Sequence, residues 1–251
     1  MFSRLPTHGR PGHTPAVTAS ANFEWDPFGT LHAALWIGGA QWAGKSTVSN
    51  ILAARHGLTA YHYDYHDARG HLERQAARRA RAGSPYAEYP GPDWAGSTPG
   101  ALAEECLAIF DDRIEFVFDD LRALVSPRPV LAEGFGLRPE VLAPMLDAPD
   151  RMIVMVPTEE FRQHQIRTLP RASALKVDVG DPVLAQAKRV ERDRLLAEHA
   201  VRAAREHGVH VLQIDGSRDA EAVADDVERL FAAHLTPSTP DSTAKFQESS
   251  S

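Results

Sequence analysis

The chain has 251 residues, 43% of them hydrophobic, with a formal net charge of -7. That length buries one sizeable core with at most a small appendage, and the acidic balance argues against generic nucleic-acid or anionic-membrane binding. No apolar run approaches the roughly 18 residues of a membrane span, and the single cysteine, Cys106, excludes an internal disulfide or a multi-cysteine metal site. A small buried core residue is the reading of Cys106, and a cytoplasmic location is the natural expectation.

Residues 1–30 are rich in Pro, Gly, Thr and Ser without periodicity, and 236–251 are polar and Pro/Ser/Thr-rich. Both read as disordered tails around a folded body over 31–235. Within it, Leu31 to Gly38 is a short apolar run ending in glycine, a buried strand. Lys45 to His56 carries Val48, Ile51 and Leu52 at helical spacing and stops at Gly57. Leu58 to Asp64 reads as a second strand and Ala68 to Ala82 as an Ala/Arg-rich helix. Ser84 to Gly100 is dense in Pro and Gly around Tyr86, Tyr89 and Trp94, a long loop of the kind that is commonly functional. Leu102, Cys106, Phe110, Ile114, Val117, Leu121 and Leu124 mark one face of a long helix.

Val130 to Gly134 and Arg151 to Val156 are a third and a fourth strand, with a short helix near Pro139 to Leu146 between them. Thr158 caps a helix to about Thr168, with Glu159 and Glu160 in its first turn. Pro170 to Pro182 is irregular. Val183 to His207 is a charged helix, Val209 to Asp215 a fifth strand and Asp219 to His234 a closing helix. Strands alternating with helices predict an α/β fold with a parallel sheet covered on both faces.

Gly39-Ala40-Gln41-Trp42-Ala43-Gly44-Lys45-Ser46 has the spacing of a phosphate-binding loop, and it follows a strand and opens a helix, as such a loop must. Its glycines let successive backbone N–H groups turn inward at the positive end of the helix that continues with Thr47. Lys45 is expected to reach the β- and γ-phosphates, and Ser46 to offer a hydroxyl to Mg²⁺. Gln41 and Trp42 point outward in this geometry.

With this loop, Asp64 ending the second strand, Glu133-Gly134 ending the third and an Arg-bearing insertion after the fourth, the chain resembles the kinase branch of the P-loop nucleotide-binding superfamily. Within the branch it looks similar to nucleoside kinases and to enzymes like chloramphenicol phosphotransferase. The resemblance implies a three-layer fold with a five-stranded sheet ordered 2-3-1-4-5, ATP with Mg²⁺ as phosphoryl donor, a small-molecule acceptor and a lid over about residues 162–185. It departs from motor and transporter ATPases, whose third-strand apolar run ends in Asp or Asp-Glu, since Val130-Leu131-Ala132 is followed here by Glu133.

Asp64 sits where open α/β sheets bind ligands, and a carboxylate there suits the orienting and deprotonation of an acceptor hydroxyl; Asp67 is its rival. Glu133 is the second metal candidate beside Ser46. His62 and His66 flank Asp64 in a His-x-Asp-x-His pattern that is commoner in ordinary strands than in zinc sites. Among Arg162, Arg167, Arg171, Arg189, Arg192 and Arg194, Arg167 and Arg171 are the expected lid cations because the segment around them is irregular. Arg74, Arg78 and Arg81 form a stripe that reads first as a solvated face. A phosphotransferase acting on a hydroxyl or phosphate acceptor follows from these groups. A regulatory nucleotide switch would need a base-reading motif or a Walker-B pair with an arginine finger, and neither is found; an RNA-end kinase is opposed by the acidic charge.

Overall fold

The computed structural model describes residues 25–83, 91–126, 128–170 and 180–235. Tyr86, Tyr89, Arg171 and both predicted tails except residues 25–30 lie outside these.

Five parallel strands form the sheet: β1 (Leu35–Gly39), β2 (Thr59–His62), β3 (Val130–Glu133), β4 (Met152–Pro157) and β5 (His210–Ile214), in the order β2-β3-β1-β4-β5. This is the 2-3-1-4-5 order that the resemblance implies. β1, β3 and nearly all of β4 are buried, as central strands covered on both faces must be.

Alternate strand residues feed two separate cores. Trp36, Tyr61, Ala132 and Val154 face a layer made by α1 (Thr30–Ala33), α5 (Pro99–Arg122), α6 (Pro139–Leu142) and α8 (Pro182–Glu206). Leu35, Ile37, Leu131, Ile153 and Met155 face α2 (Lys45–His56) and α9 (Ala220–Leu230), with Phe161 of α7 (Glu159–Thr168) and Leu235 of the short α10 (Ala232–Leu235) against that side. Two-residue alternation along each strand thus yields the three layers. Caps fix where the long helices begin: Thr98 and Thr158 accept N–H groups of Ala101 and Phe161, and Asp181 accepts those of Val183 and Leu184.

Two boundaries differ from the sequence reading. Leu31 to Ala33 is a helical turn rather than strand, because Asp26 Oδ2 accepts the N–H groups of Leu31 (2.9 Å) and His32 (3.0 Å) and so caps the turn. Residues 25–30 accordingly belong to the ordered body, where Arg122 Nε also donates to the Trp25 carbonyl at 2.8 Å. The second strand ends at His62, and Asp64 falls in the first turn of α3 (Tyr63–His66), which runs through a π-helical turn (Asp67–His71) into α4 (Leu72–Arg81). The Tyr63 hydroxyl donates to Asp67 four residues on (3.1 Å), a pairing that helical spacing allows and strand spacing does not. No helix among the described residues is long and apolar enough to cross a membrane.

Candidate active site

β1 ends in Gly39 at φ +111°, and a Cβ there would lie 2.2 Å from the Met155 carbonyl oxygen of β4. Only glycine lets the chain leave the sheet so close to its neighbour. The loop turns through Trp42, the one described non-glycine residue at positive φ (+66°), and re-enters helix at Gly44 (φ +82°). A non-glycine side chain held there is conformationally costly, and such cost collects at functional loops. The first turn of α2 has neither a side-chain cap nor an acidic residue, so its N–H donors and positive end face the loop uncompensated.

Lys45 is buried and its Nζ donates to the Ala40 carbonyl oxygen at 2.7 Å, arching the side chain over the loop. Burial lowers its pKa from the usual lysine value, while the charges of Asp64 and Glu133 oppose the shift. Ser46 and Thr47 are exposed beside it.

Glu133, at the end of β3, is buried; its Oε1 lies 2.7 Å from His62 Nδ1, and its Oε2 is buried without a hydrogen-bond partner. An orphaned carboxylate oxygen in a protein interior is costly unless something else engages it. The chain then passes through Gly134 and Gly136, where Cβ atoms would stand 2.3 Å from Tyr63 Cβ and 2.4 Å from Tyr63 Cζ. The Glu133-Gly134 pair therefore lets the β3 loop wrap the Tyr63 ring and bring the Phe135 N–H to Asp64 Oδ1 at 3.2 Å.

Asp64 is open to solvent by surface area, yet protein walls crowd its carboxyl. That desolvation raises its pKa above the ordinary aspartate value, against the pull of Lys45 and the Phe135 N–H. Asp67 differs: both of its oxygens accept from Arg113 NH1 (3.0 and 2.9 Å), and Arg113 is itself buried and donates through Nε to Gln75. Asp67 is thus held in a largely buried ion pair, whereas Asp64 is exposed and accepts the Phe135 N–H.

The helical turn at Tyr63 also splits the histidine pattern. His62 goes to Glu133, while His66 stacks on Tyr61 at 4.4 Å. The Arg74–Arg78–Arg81 stripe divides too. Arg74 pairs with Asp119 and Asp120, Arg74 and Arg78 lie over the Phe116 ring, and Arg81 is exposed.

The arginines of the second half sort by environment. Arg167 is exposed in the last turn of α7, and Arg171 lies outside the described residues. Arg162 is buried, grips Glu159 and donates to the Val190 carbonyl (2.9 Å), tying α7 to α8. Arg194 pairs with Glu191 and Glu198 away from the loop. Arg189 is the one whose guanidinium is found over the ring of Trp42, 5.4 Å from its centroid, with its pKa lowered by burial. One helical turn on, Arg192 lies 5.1 Å from the Trp94 centroid and is paired with Asp193. Sequence reasoning counted Arg189 among six candidate arginines but preferred Arg167 and Arg171; the signal favouring Arg189 was a tryptophan at an outward position of the loop.

A groove of about 930 Å³ between α7, α8 and the ends of β4 and β5, lined by Val156, Glu159, Arg162, Val201 and Arg205 among others, includes no phosphate-loop residue. Lys45, Asp64 and Glu133 do not line it either.

No family model and no curated protein matches the chain. Among solved structures it is similar to shikimate kinase from Acinetobacter baumannii in complex with shikimate, at 20% identity and a TM-score of 0.42, over 81% of this chain and 95% of that one. Shikimate kinase from Aquifex aeolicus aligns at 15% identity and a TM-score of 0.36, over 81% and 99%. Likenesses of that strength leave function to be argued from the site itself.

Proposed function

We propose that the protein is an ATP-dependent phosphotransferase that phosphorylates a small-molecule acceptor. The observation that carries the reading is the meeting of two differently tuned groups at one sheet edge. Lys45 is arched over an uncapped helix start, and a carboxylate, Asp64, is within its electrostatic reach.

The N–H groups at the start of α2 and Lys45 bind the nucleotide's phosphates, Lys45 exchanging the Ala40 carbonyl for a phosphate oxygen. A divalent cation fits this corner, since Glu133 Oε2 is an orphaned buried acceptor and the Ser46 hydroxyl is exposed in the first turn. Mg²⁺ held by Ser46 and Glu133 would neutralise phosphate charge. Asp64, oriented by the Phe135 N–H, takes the proton of the acceptor hydroxyl as that oxygen attacks the γ-phosphorus. The bond from the γ-phosphorus to the bridging oxygen breaks, and ADP departs with the electron pair. Arg189, with Arg167 and Arg171 as further candidates, supplies positive charge to the transferring group.

Asp64→Asn tests this. Transfer from ATP should fall about 10²-fold or more while ATP affinity stays nearly unchanged. Asp64 works ionised and its pKa is raised, so in the wild type the acid limb of kcat/KM should lie above the ordinary aspartate range; the variant should lose that limb. Weakened Mg-dependent ATP binding in Asp64→Asn would instead make Asp64 a metal residue. ATP hydrolysis at one constant low rate across nucleosides, nucleotides, sugars and antibiotics would favour a switch.

A further inference from the structure

The groove of about 930 Å³ beside β5 has an apolar floor that includes Val156, Ala197 and Val201, and one flank of it is a single face of α8. Its lining runs along that helix from Arg194 to Glu206, a length of about 18 Å. A trough of that shape suits an extended element of a partner rather than a small molecule. The helix face carries Arg194, Glu198, Arg202 and Glu206, one charge every four residues with alternating sign. Glu198, Arg202 and Glu206 are exposed. Arg194 and Glu198 pair within the helix, as that spacing permits.

The strand beside the trough is an edge. Among the described residues β5 pairs with β4 alone. His210-Val211-Leu212-Gln213-Ile214 contains no Lys, Arg, Asp, Glu or Pro, the residues that ordinarily keep an edge strand from pairing with another. His210 and Gln213 are exposed.

Reversing direction turns the charge row of α8 into its own complement. Two copies laid antiparallel about the centre of the row, near Ala200, set Glu198 opposite Arg202 of the second copy and Arg194 opposite its Glu206, and each pair occurs twice. An isologous two-fold interface needs that self-complementarity. Antiparallel pairing of two β5 strands is also two-fold symmetric, about Leu212. The two centres are level: Ala200 lies about 9 Å from the end of α8 and Leu212 about 7 Å from the start of β5, and residues 207–209 join those ends. One dyad can serve both.

We propose that a second copy of this chain docks on this face, α8 antiparallel to α8 and β5 antiparallel to β5, so that two five-stranded sheets join into one. The ion pairs set the register, and Ala197 with Val201 of each copy covers the floor. This association does not depend on the phosphotransferase reading.

Sedimentation equilibrium of the full chain over a concentration series tests it. A monomer–dimer equilibrium should appear at low ionic strength and weaken with added salt. Glu198→Arg or Arg202→Glu alone sets two like-charged pairs across the dyad and should raise the dissociation constant at least about tenfold. An equimolar mixture of the two variants should dimerise again, because altered then meets altered and native meets native, opposite in sign both times. Recovery on mixing also shows that each variant is folded. The double variant Glu198→Arg/Arg202→Glu should dimerise too, although it puts like charges beside Arg194 and Glu206 on its own helix, so pairing confined to one helix predicts no recovery. Hydrogen exchange at the β5 amides should be slower in the dimer than in either single variant. A monomer at every concentration overturns the proposal, as does a dimer indifferent to both single substitutions or a mixture that stays monomeric; equal β5 exchange overturns the joined sheet.

Discussion

The two sides of the candidate site are built on opposite plans. The phosphate-loop side is made by nine consecutive residues, Gly39 to Thr47, whose conformation follows from two glycines at positive φ and a helix start without a cap. The opposite side is made by pairs far apart in sequence: Asp67 with Arg113, His62 with Glu133, Phe135 with Asp64. The first side begins a helix whose start has no side-chain cap, while the second joins side chains across the chain by ion pairs and hydrogen bonds. A helix start without a cap suits a highly charged ligand; long-range pairing fixes the positions of the groups around it.

The comparison breaks most visibly at Lys45. Lys45→Ala should lower turnover about 10³-fold, since it removes the principal side-chain donor to the developing phosphate charge. The melting temperature should hardly change, because the loop carbonyl of Ala40 is the only hydrogen-bond acceptor Lys45 engages among the described residues. A large drop in thermal stability with intact turnover would mean that the loop is structural and that the two sides do not differ in the way described.

The opposite wall should respond the other way. Arg113→Ala strands Asp67 in a largely buried setting and removes the bond to Gln75, so unfolding free energy should fall by about 3 kcal/mol. Nucleotide affinity, measured by calorimetry below the melting transition, should be nearly unaffected. If Arg113→Ala weakens nucleotide binding as strongly as it weakens the fold, the wall is part of the phosphate site.

This contrast also explains what could be seen from the sequence. The loop and most helices were legible because local spacing encodes them, whereas the sheet order came from the family resemblance: Val48 and Leu52 pack beneath α2, and Thr158 caps α7 as its sequence context predicts. Asp64 was placed near the sheet edge but on a strand, since nothing in Leu58 to Asp64 reveals that Tyr63 will turn into helix against Gly134 and Gly136. Arg113, which holds Asp67 across 46 positions, sits among the charges of α5 with no periodic mark to distinguish it from a solvated arginine. The first strand was read too early because the capping by Asp26 comes from upstream of the apolar run.

Arg189 reaches the loop from a distant helix, and its removal is the mildest and most discriminating change. It lies over Trp42 in the loop, yet belongs to α8, one turn before the Arg192–Asp193 pair. Phosphate charge at the loop would draw the guanidinium from an aromatic face toward an anion, exchanging a cation–π contact for charge-assisted hydrogen bonds. Such bonds contribute about 1.5–3 kcal/mol, part of it offset by the lost stack. Arg189→Ala should therefore reduce kcat by about tenfold while changing ATP affinity less, because charge that develops during transfer is felt mainly in the transition state. Arg189→Lys should restore only part of the loss, since an ammonium keeps the charge but not the planar fork. Arg167→Ala, at an exposed position, gives the matching measurement for the other candidate: a larger kcat effect there than at Arg189 would move the catalytic cation from α8 to the end of α7, and would leave the Trp42 contact as packing alone.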